Sequence, residues 1–228
     1  MRTPTVVFDL DGTLVDTAPD LAHATNHALS RIGIPAVALE TVRASVSHGA
    51  RAMLVKALDI AGWTLPDAEI DDLLTHFLDF YGENIAVESR PYPDAVEVVK
   101  GLKGRGMRLA VCTNKREGMS RKLLKELGML DLFSAVVGRD TLPVYKPDPG
   151  HLIGTVILAD GDLGRTVMVG DSETDVLTAK AAGIPVIGVT FGYTHAPIAS
   201  FGPDAVIDHY RDLANAVDML AAARVKGG

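Results

Sequence analysis

The feature that most constrains the fold is a repeated alternation of short apolar runs with longer amphipathic stretches. The runs are rich in valine and are closed by Gly, Asp, Thr or Pro, as expected of parallel strands buried on both faces. They are Thr5–Phe8, Arg108–Cys112, Ala135–Val137, Val167–Val169 and Val186–Val189. The stretches between them have helical spacing and are Asp94–Lys103, Glu117–Leu127, Pro149–Leu158 and Thr174–Ala182. This alternation predicts an α/β fold with a Rossmann-like parallel sheet.

One segment, from Asp16 to Arg90, lacks the strand pattern and is predicted to be all-helical. Helix starts and apolar stripes predict helices from Thr17 to about Ile32, over Ala50–Ile60 and over Pro66–Tyr81. The side chain of Thr17 is expected to cap the first of them.

The helical segment also predicts the domain organisation. We expect a helical cap domain over residues 16–90, inserted after the first strand of a core domain made of residues 1–15 and 91–228. The linkers at Val15–Thr17 and Ser89–Tyr92 are the predicted hinges.

Composition restricts the partners and the compartment. The chain has 22 Lys+Arg against 29 Asp+Glu and a formal charge of −7, which disfavours a nucleic-acid partner. The first apolar run is cut short by Asp9 and Asp11, so no signal peptide or membrane helix is predicted. The single cysteine, Cys112, is predicted to be a buried structural residue. We therefore expect a cytoplasmic monomer or homodimer without nucleic-acid or membrane partners.

The strongest chemical signal is Asp9-Leu10-Asp11-Gly12-Thr13, which directly follows the first predicted strand. Gly12 allows a turn there, and the turn can direct both carboxylates to one site. That site would lie beyond the carboxyl end of the strand, where α/β sheets bind ligands. In isolation, the motif is equally typical of a simple turn.

A second acidic group, Gly170-Asp171-Ser172-Glu173-Thr174-Asp175, follows the strand Val167–Val169. If the two strands are neighbours, Asp171 lies beside Asp9 and Asp11. Converging carboxylates of this kind repel one another unless a hard cation such as Mg²⁺ binds them. Ser172 and Asp175 also fit a helix cap, and the two interpretations are compatible.

Two further segments carry groups that can bind a phosphate. Thr113-Asn114 follows a predicted strand and presents a hydroxyl and backbone N–H groups, although the pair is also typical of a turn. Lys146 precedes a helix that starts with proline, and it can bring a positive charge to carboxylates and phosphate. A lone lysine in such a place is also typical of a solvated surface.

The four motifs, Asp-x-Asp-Gly-Thr, Thr-Asn, Lys-Pro and Gly-Asp-Ser-x-x-Asp, follow one another in this order along nearly the whole chain. The set resembles the haloacid dehalogenase-like (HAD) superfamily of hydrolases, including the helical cap after the first strand. The resemblance implies that the first strand lies between the second and fourth predicted strands. Such an order creates the reversal point at which α/β sheets bind ligands.

The resemblance also implies catalytic roles. Asp9 would be the nucleophile that becomes an aspartyl phosphate, and Asp11 the acid/base that protonates the leaving oxygen and then activates water. Asp11 favours a phosphate ester, because dehalogenases of this superfamily lack the second aspartate and phosphonate hydrolases carry a different residue there.

The same resemblance implies a Mg²⁺ cofactor and a phosphate site. The ion would be bound by Asp9, Asp171 and the backbone carbonyl of Asp11, and Asp175 would orient a metal-bound water or ligand. The implied phosphate-binding residues are Thr113, Asn114 through its backbone, and Lys146.

Within the superfamily, the sequence most resembles phosphoglycolate phosphatases, which implies the small monoester 2-phosphoglycolate as substrate. The stretches that carry this likeness are Ser47-His48-Gly49-Ala50, Ala179-Lys180-Ala181-Ala182-Gly183 and Val189-Thr190-Phe191-Gly192-Tyr193. The chain departs from that subfamily at Gly138-Arg139-Asp140, where two glycines and an aspartate are usual. It departs again at His48, where a small polar amide is common.

The cap is expected to contact the substrate through His48, Gly49 and Arg51. Arg51 lies at the start of a predicted helix, behind Gly49, where an anion is favoured, so it is a candidate for binding the substrate carboxylate. An exposed helix arginine without a ligand fits the same position.

Several alternatives remain open at this stage. A sugar-phosphate mutase resembling β-phosphoglucomutase uses the same two aspartates. A nucleotidase or pyrophosphatase of the superfamily shares the same core. A non-catalytic binding protein on this fold would be expected to lack Asp9 or Asp11, and both are present.

Overall fold

The computed structural model describes residues 3–43 and 45–226, in which a strand–helix alternation is interrupted by a helical segment after the first strand. The strands are β1 (Thr3–Phe8), β2 (Val15–Asp16), β3 (Arg90–Pro91), β4 (Arg108–Cys112), β5 (Ala135–Val137), β6 (Gly161–Gly170), β7 (Val186–Val189) and β8 (Ala205–Ile207). The helices are α1 (Ala18–Ser30), α2 (Leu39–Arg43), α3 (Ala50–Ile60), α4 (Asp67–Glu83), α5 (Ala95–Gly104), α6 (Glu117–Glu126), α7 (Pro149–Leu158), α8 (Glu173–Ala181) and α9 (Leu213–Lys226).

A parallel sheet organises the molecule, with the strand order β5-β4-β1-β6-β7-β8. After β1, the next two strands of the sheet, β4 and β5, are added on one side of β1. The strands β6, β7 and β8 are then added on its other side. The order therefore reverses at β1, between the second and fourth predicted strands. The predicted α/β fold with a Rossmann-like parallel sheet is confirmed.

The central strand is buried on both faces, which explains its continuous apolar run. Val6 and Phe8 belong to one apolar cluster and Val7 to another, and each of the three is 0% exposed. Helices α5 and α9 contribute to the first cluster, and α7 and α8 to the second. Because helices cover both faces, the strands lack the polar–apolar alternation of a half-exposed sheet.

The helices between β2 and β3 form a packed group of their own. α1 contacts α2, α3 and α4, and α3 contacts α4. Their buried residues, among them Leu21, Met53 and Phe77, are continuous with the apolar cluster that includes Phe8. The division of the chain into a cap domain and a core domain stays a prediction.

The prediction that Asp16 to Arg90 contains helices alone is wrong at both ends. β2 and β3 pair as an antiparallel ribbon, with Val15 opposite Pro91 and Asp16 opposite Arg90. The ribbon occupies the two predicted linkers, so these linkers are hydrogen-bonded to each other. Strands of two residues are too short to produce a periodic pattern, which is why the sequence does not reveal them.

The predicted capping role of Thr17 is also wrong. Thr17 is at the N-cap of α1, but its side chain makes no capping hydrogen bond. Its hydroxyl donates instead to Oδ1 of Asp11, at 2.7 Å. The phenolic oxygen of Tyr193 accepts from the backbone N–H groups of Thr17 and Ala18, and so satisfies the start of the helix from outside it.

Candidate active site

The carboxyl ends of the three central strands bring the predicted motifs together. Phe8 pairs with Val111 on β4 and with Val169 on β6, so the carboxyl ends of these three strands lie side by side. The backbone N–H of Asp9 donates to the carbonyl of Val169, at 2.9 Å, which extends the β1–β6 pairing to the motif itself.

Asp9 lies beside the predicted lysine. The distance from its Oδ1 to Nζ of Lys146 is 2.9 Å, and the same Nζ donates to Oδ1 of Asp175 at 2.6 Å. Burial raises the pKa of Asp9 to about 7, against the opposing effect of Lys146. Burial would lower the pKa of Lys146, but the charges of Asp175 and Asp9 raise it above its usual value. Lys146 is therefore a fixed positive charge next to the candidate nucleophile.

Asp171 is held from two sides. Its Oδ1 accepts from the hydroxyl of Thr13 at 2.9 Å, and its Oδ2 accepts from the backbone N–H of Tyr193 at 2.8 Å. Burial, together with the charges of Asp175 and Asp9, raises the pKa of Asp171 to about 8. Gly12, at φ +86°, passes so close that a Cβ there would lie 2.5 Å from Oδ2 of Asp171. The glycine in the first motif is thus required both by its backbone conformation and by this close approach.

Three carboxylates form a group that fits a metal ion. Asp9, Asp171 and Asp175 each offer an oxygen, and these oxygens lie within 4.8 Å of one another. All three side chains are buried, and burial raises the pKa values of Asp9 and Asp171, as expected of neighbouring carboxyls without a bound cation. Clustered carboxylate oxygens are the ligands of hard divalent cations, so the residues present fit such an ion.

Asp175 has a different set of contacts from the other two aspartates. Its Oδ2 accepts from the backbone N–H and the hydroxyl of Ser172, while its backbone N–H donates to the Ser172 hydroxyl. This is the capping box predicted for the start of α8. Since Lys146 binds its other oxygen, both oxygens of Asp175 already have protein partners.

Asp11 lies outside this three-carboxylate group. Its Oδ1 accepts from the hydroxyl of Thr17 at 2.7 Å and from Nζ of Lys115 at 2.9 Å. Both donors contact the same oxygen, so neither of them occupies Oδ2. The carboxyl also lines the main cavity.

The predicted phosphate-binding residues lie at the same end of the sheet. Thr113 and Lys146 are buried and line the cavity, and the hydroxyl of Thr113 accepts from the backbone N–H of Lys115 at 3.1 Å. The side-chain amide of Asn114 donates to the carbonyl of Lys146 at 3.0 Å, which fixes the loop that carries the lysine.

A cavity of about 530 Å³ lies between this end of the sheet and the helical segment. Asp9, Asp11 and Lys146 line it from the sheet side, and apolar residues of α1, α3 and α4 line it from the other. These apolar residues are Leu21, Ala50, Met53, Leu74, Phe77 and Leu78.

The structure separates the three candidate cap residues. Gly49 and Arg51 line the main cavity, whereas His48 lines a smaller pocket next to Ser172 and Thr194. The guanidinium of Arg51 is paired with Asp67 at 2.6 Å and with Asp71 at 3.3 Å. Arg51 is therefore at the cavity but has protein partners there.

Sequence reasoning missed several residues of the site. Lys115 follows Thr113-Asn114 directly, so a charged residue after a strand end was a visible signal. Tyr81 was assigned only to a helix, and its hydroxyl accepts from Nζ of Lys115 at 2.7 Å. Tyr193 was noted only for the resemblance to phosphoglycolate phosphatases. Its backbone N–H donates to Asp171, and its hydroxyl donates to Asp16 of the β2–β3 ribbon at 2.6 Å, so it connects the two aspartates.

Comparison with known proteins agrees with this fold and this site. The family described as haloacid dehalogenase-like hydrolase matches residues 6–189, which include all four motifs. The chain belongs to this family. The predicted membership of the superfamily and the predicted hydrolase class are confirmed.

Within the family, the chain is similar to phosphoglycolate phosphatases, as predicted. It is 49% identical to one from Mesorhizobium japonicum, over 92% of each chain. It is 43% identical to one from Agrobacterium fabrum, over 94% of this chain and 92% of the relative. A crystal structure described as a predicted phosphoglycolate phosphatase from Haemophilus somnus superposes with a TM-score of 0.87 at 33% identity, covering 95% of this chain and 98% of that one.

Across residues 3–43 and 45–226, no helix combines the length and apolarity needed to cross a membrane.

Proposed function

We propose that the protein is a Mg²⁺-dependent phosphatase that hydrolyses a small phosphate monoester, 2-phosphoglycolate, through an aspartyl phosphate on Asp9. One observation carries the proposal: a buried carboxylate at the end of the central strand lines the main cavity, beside a buried lysine and two further carboxylates. In this arrangement a nucleophile lies next to a positive charge that can stabilise a bound phosphate dianion.

In the first step, a carboxylate oxygen of Asp9 attacks phosphorus. As the new bond forms, the bond from phosphorus to the leaving oxygen breaks, and that oxygen keeps the electron pair and takes a proton from Asp11. Lys146 lies 2.9 Å from Oδ1 of Asp9, which supports a role for it in binding a phosphoryl oxygen. The hydroxyl of Thr113 and the backbone of Asn114 are proposed to bind the remaining oxygens.

In the second step, water attacks the phosphorus of the aspartyl phosphate. Asp11 takes a proton from this water, and the electron pair of the cleaved bond returns to Asp9, so both residues regain their starting state. Bound at Asp9, Asp171 and the Asp11 carbonyl, with Asp175 beside it, Mg²⁺ would supply charge neutralisation between the nucleophile and the phosphate.

The substrate is inferred from the likeness to phosphoglycolate phosphatases and from the charges of the cavity. Arg51 is proposed to bind the substrate carboxylate from the helical side, with Gly49 next to it. Its pairs with Asp67 and Asp71 involve side chains that are 89% and 65% exposed, and such pairs are worth little in water. A substrate carboxylate can therefore compete for the guanidinium.

A second candidate substrate class is supported by the size of the cavity. About 530 Å³ falls within the range of sites that hold ligands much larger than a two-carbon ester. A nucleoside monophosphate or a sugar phosphate would fill more of it. The nucleotidase and mutase alternatives are kept for this reason.

The test is phosphate release from a panel of small phosphate monoesters, with Mg²⁺ and with chelator, using the unaltered protein and Asp9→Asn. We expect release that requires Mg²⁺ and is abolished by Asp9→Asn, because an amide is not a nucleophile here. Asp72→Asn is the matched control, since this exposed aspartate on α4 does not line the cavity. An undiminished rate in Asp9→Asn would overturn the proposed nucleophile.

The same assay separates the alternatives. Release of one phosphate per substrate consumed indicates a hydrolase, whereas an isomeric phosphate ester without free phosphate indicates a mutase. A preference for nucleotides over 2-phosphoglycolate would move the assignment to a nucleotidase.

A further inference from the structure

Lys115 occupies a place that the mechanism above leaves without a role. Its Nζ donates to Oδ1 of Asp11 at 2.9 Å and to the hydroxyl of Tyr81 at 2.7 Å. The same Nζ lies 4.4 Å from the centroid of the Tyr81 ring. The lysine side chain is 9% exposed, so these contacts are largely shielded from water.

The charge of this lysine is maintained by its two partners. Burial alone would lower the pKa of Lys115, but the carboxylate of Asp11 and the hydroxyl of Tyr81 raise it above its usual value. The side chain is therefore an ammonium group, which has three donors and no acceptor. With two donors directed at Asp11 and Tyr81, its orientation is fixed from both sides.

The three residues come from separate parts of the fold. Asp11 belongs to the loop after β1, Lys115 to the loop after β4, and Tyr81 to the last turns of α4. Tyr81 is itself buried, at 2% exposure. The position of Lys115 thus depends on α4 being docked against the end of the sheet.

We propose that Lys115 is a positioning residue that holds the Asp11 carboxyl by Oδ1, and that Tyr81 in turn holds Lys115. Docking of α4 against the sheet thereby orients Asp11 toward the leaving group. The proposal rests on the proposed function, in which Asp11 is the acid/base. Thr17 contacts the same oxygen from the start of α1. Oδ2 is then the oxygen available to exchange a proton with the substrate.

This assignment predicts a dependence on the leaving group. For an alkyl phosphate, the Oδ2–H bond of Asp11 breaks as the phosphorus–oxygen bond breaks, and the proton goes to the alkoxide oxygen that keeps the electron pair. p-Nitrophenyl phosphate releases a stable phenolate, which leaves without that proton. A misaligned Asp11 therefore slows the first reaction much more than the second.

The experiment compares kcat/KM of Lys115→Met for the best alkyl phosphate of the panel and for p-nitrophenyl phosphate. We expect a loss of roughly 100-fold or more on the alkyl ester, the scale of acid–base catalysis, and a loss of only a few fold on the aryl ester. A contact of Lys115 with the phosphoryl group, or general damage to the site, would reduce both values equally.

Lys122→Met is the matched control. Lys122, on α6, donates to the carbonyl of Gly82 on α4, so it also joins the helical segment to the sheet side without reaching Asp11. We expect both substrates to keep their kcat/KM in this variant. A selective loss on the alkyl ester in Lys122→Met would overturn the specific role of Lys115.

Tyr81→Phe tests the second half of the proposal and serves if Lys115→Met does not fold, as judged by its melting temperature. It keeps the ring and removes only the hydroxyl, so we expect a smaller loss with the same preference for the alkyl ester. The double variant should equal Lys115→Met alone, because Tyr81 acts through the lysine. Additive losses would overturn that coupling.

The outcomes distinguish this proposal from the proposed function. If the unaltered protein releases no phosphate from any monoester with Mg²⁺, both fail. If it is active and Lys115→Met, or Tyr81→Phe in its place, loses equally on the alkyl and aryl esters, only the positioning role fails.

Discussion

Asp9 and Asp171 are buried carboxyls whose folded pKa values, about 7 and about 8, lie above those of an unfolded chain. For a carboxyl with a raised pKa, the stabilising contribution is fully present below the unfolded value. It is lost as the pH rises through the folded value, because the buried group must then ionise. Without a divalent ion, the protein should therefore lose stability as the pH rises from about 4, where the unfolded carboxyls ionise, to about 9, above both folded pKa values.

The first prediction concerns this pH window. Mg²⁺ binds the ionised carboxylates, so the rise in Tm on adding saturating Mg²⁺ should be larger at about pH 8.5 than at about pH 6. Differential scanning fluorimetry with and without Mg²⁺ at both pH values measures it. Asp171→Asn should remove most of the difference. An equal rise in Tm at both pH values in the unaltered protein would contradict the prediction.

The second prediction concerns Arg51. Replacing it by Ala should lower kcat/KM for 2-phosphoglycolate by about 10-fold, the scale of a charge-assisted hydrogen bond, and leave p-nitrophenyl phosphate unchanged. Arg105→Ala is the control, because Arg105 is a comparably exposed arginine paired with Asp218, away from the cavity. Equal losses on both substrates, or no loss, would remove Arg51 from the substrate site.

The residues of the candidate site differ in how far the sequence reveals them. Asp9, Thr113 and Asp171 each follow a buried strand, and parallel strands end at a common edge, so their proximity was predictable. The contact between Lys115 and Tyr81 was not, because it depends on how a distant helix docks. The hydroxyl of Thr17 was assigned to its own helix, although a carboxylate lay within its reach.

Among the elements, α1 is bonded through one buried side chain, Asp20, to the residues that directly precede β3. Asp20 is buried, and its carboxylate accepts from the backbone N–H groups of Glu88 and Ser89 and from the hydroxyl of Ser89. The closest of these contacts, with the hydroxyl, is 2.7 Å. The first helix of the segment is thus bonded to the chain that leaves it.

The third prediction follows from these contacts. Asp20→Ala leaves buried donors without an acceptor and should lower the free energy of unfolding by about 1–3 kcal/mol. Urea denaturation measures this change. Asp20→Asn, which keeps one acceptor oxygen, should lose less, and the exposed Asp79→Ala should have almost no effect. A loss for Asp79→Ala as large as that for Asp20→Ala would show that the contacts with residues 88 and 89 are not its cause.

Elements were predictable where burial forces a long or continuous pattern. The bounds of β4, β5, β7, α3 and α7 agree with those predicted from sequence. β8 was missed because its three residues include the exposed Val206, and α2 because it has only five residues. Short elements stabilised by tertiary contacts leave little trace in local periodicity.

In the molecule as a whole, the helical segment contacts the sheet side where α4 meets α6, at the edge of the cavity. A Cβ on Gly82 would lie 3.2 Å from the terminal methyl of Met119, and Lys122 bonds to the Gly82 carbonyl. Met119 also lines the cavity. Movement of residues 16–90 as a cap, which we propose from the insertion after β1, would have to separate these two helices.

The fourth prediction tests that movement. In Gly82→Cys/Met119→Cys, oxidation should join α4 to α6, lower kcat by about 10-fold or more, and be reversed by reductant, if substrate enters by cap opening. The single variants are the controls. The native Cys112 is buried, so it should not form a disulfide with either introduced cysteine. Non-reducing electrophoresis verifies the link. Full turnover by the linked protein would show that opening between these helices is not needed.

The central place of β1 in the sheet has a consequence for synthesis on the ribosome. β1 lies between β4 and β6, and these neighbours are reached only at Arg108 and Gly161. A nascent chain halted before Gly161 therefore leaves one edge of an apolar strand without its hydrogen-bonding partner, and such edges promote aggregation. Until β6 emerges, that edge of β1 is therefore open to intermolecular pairing.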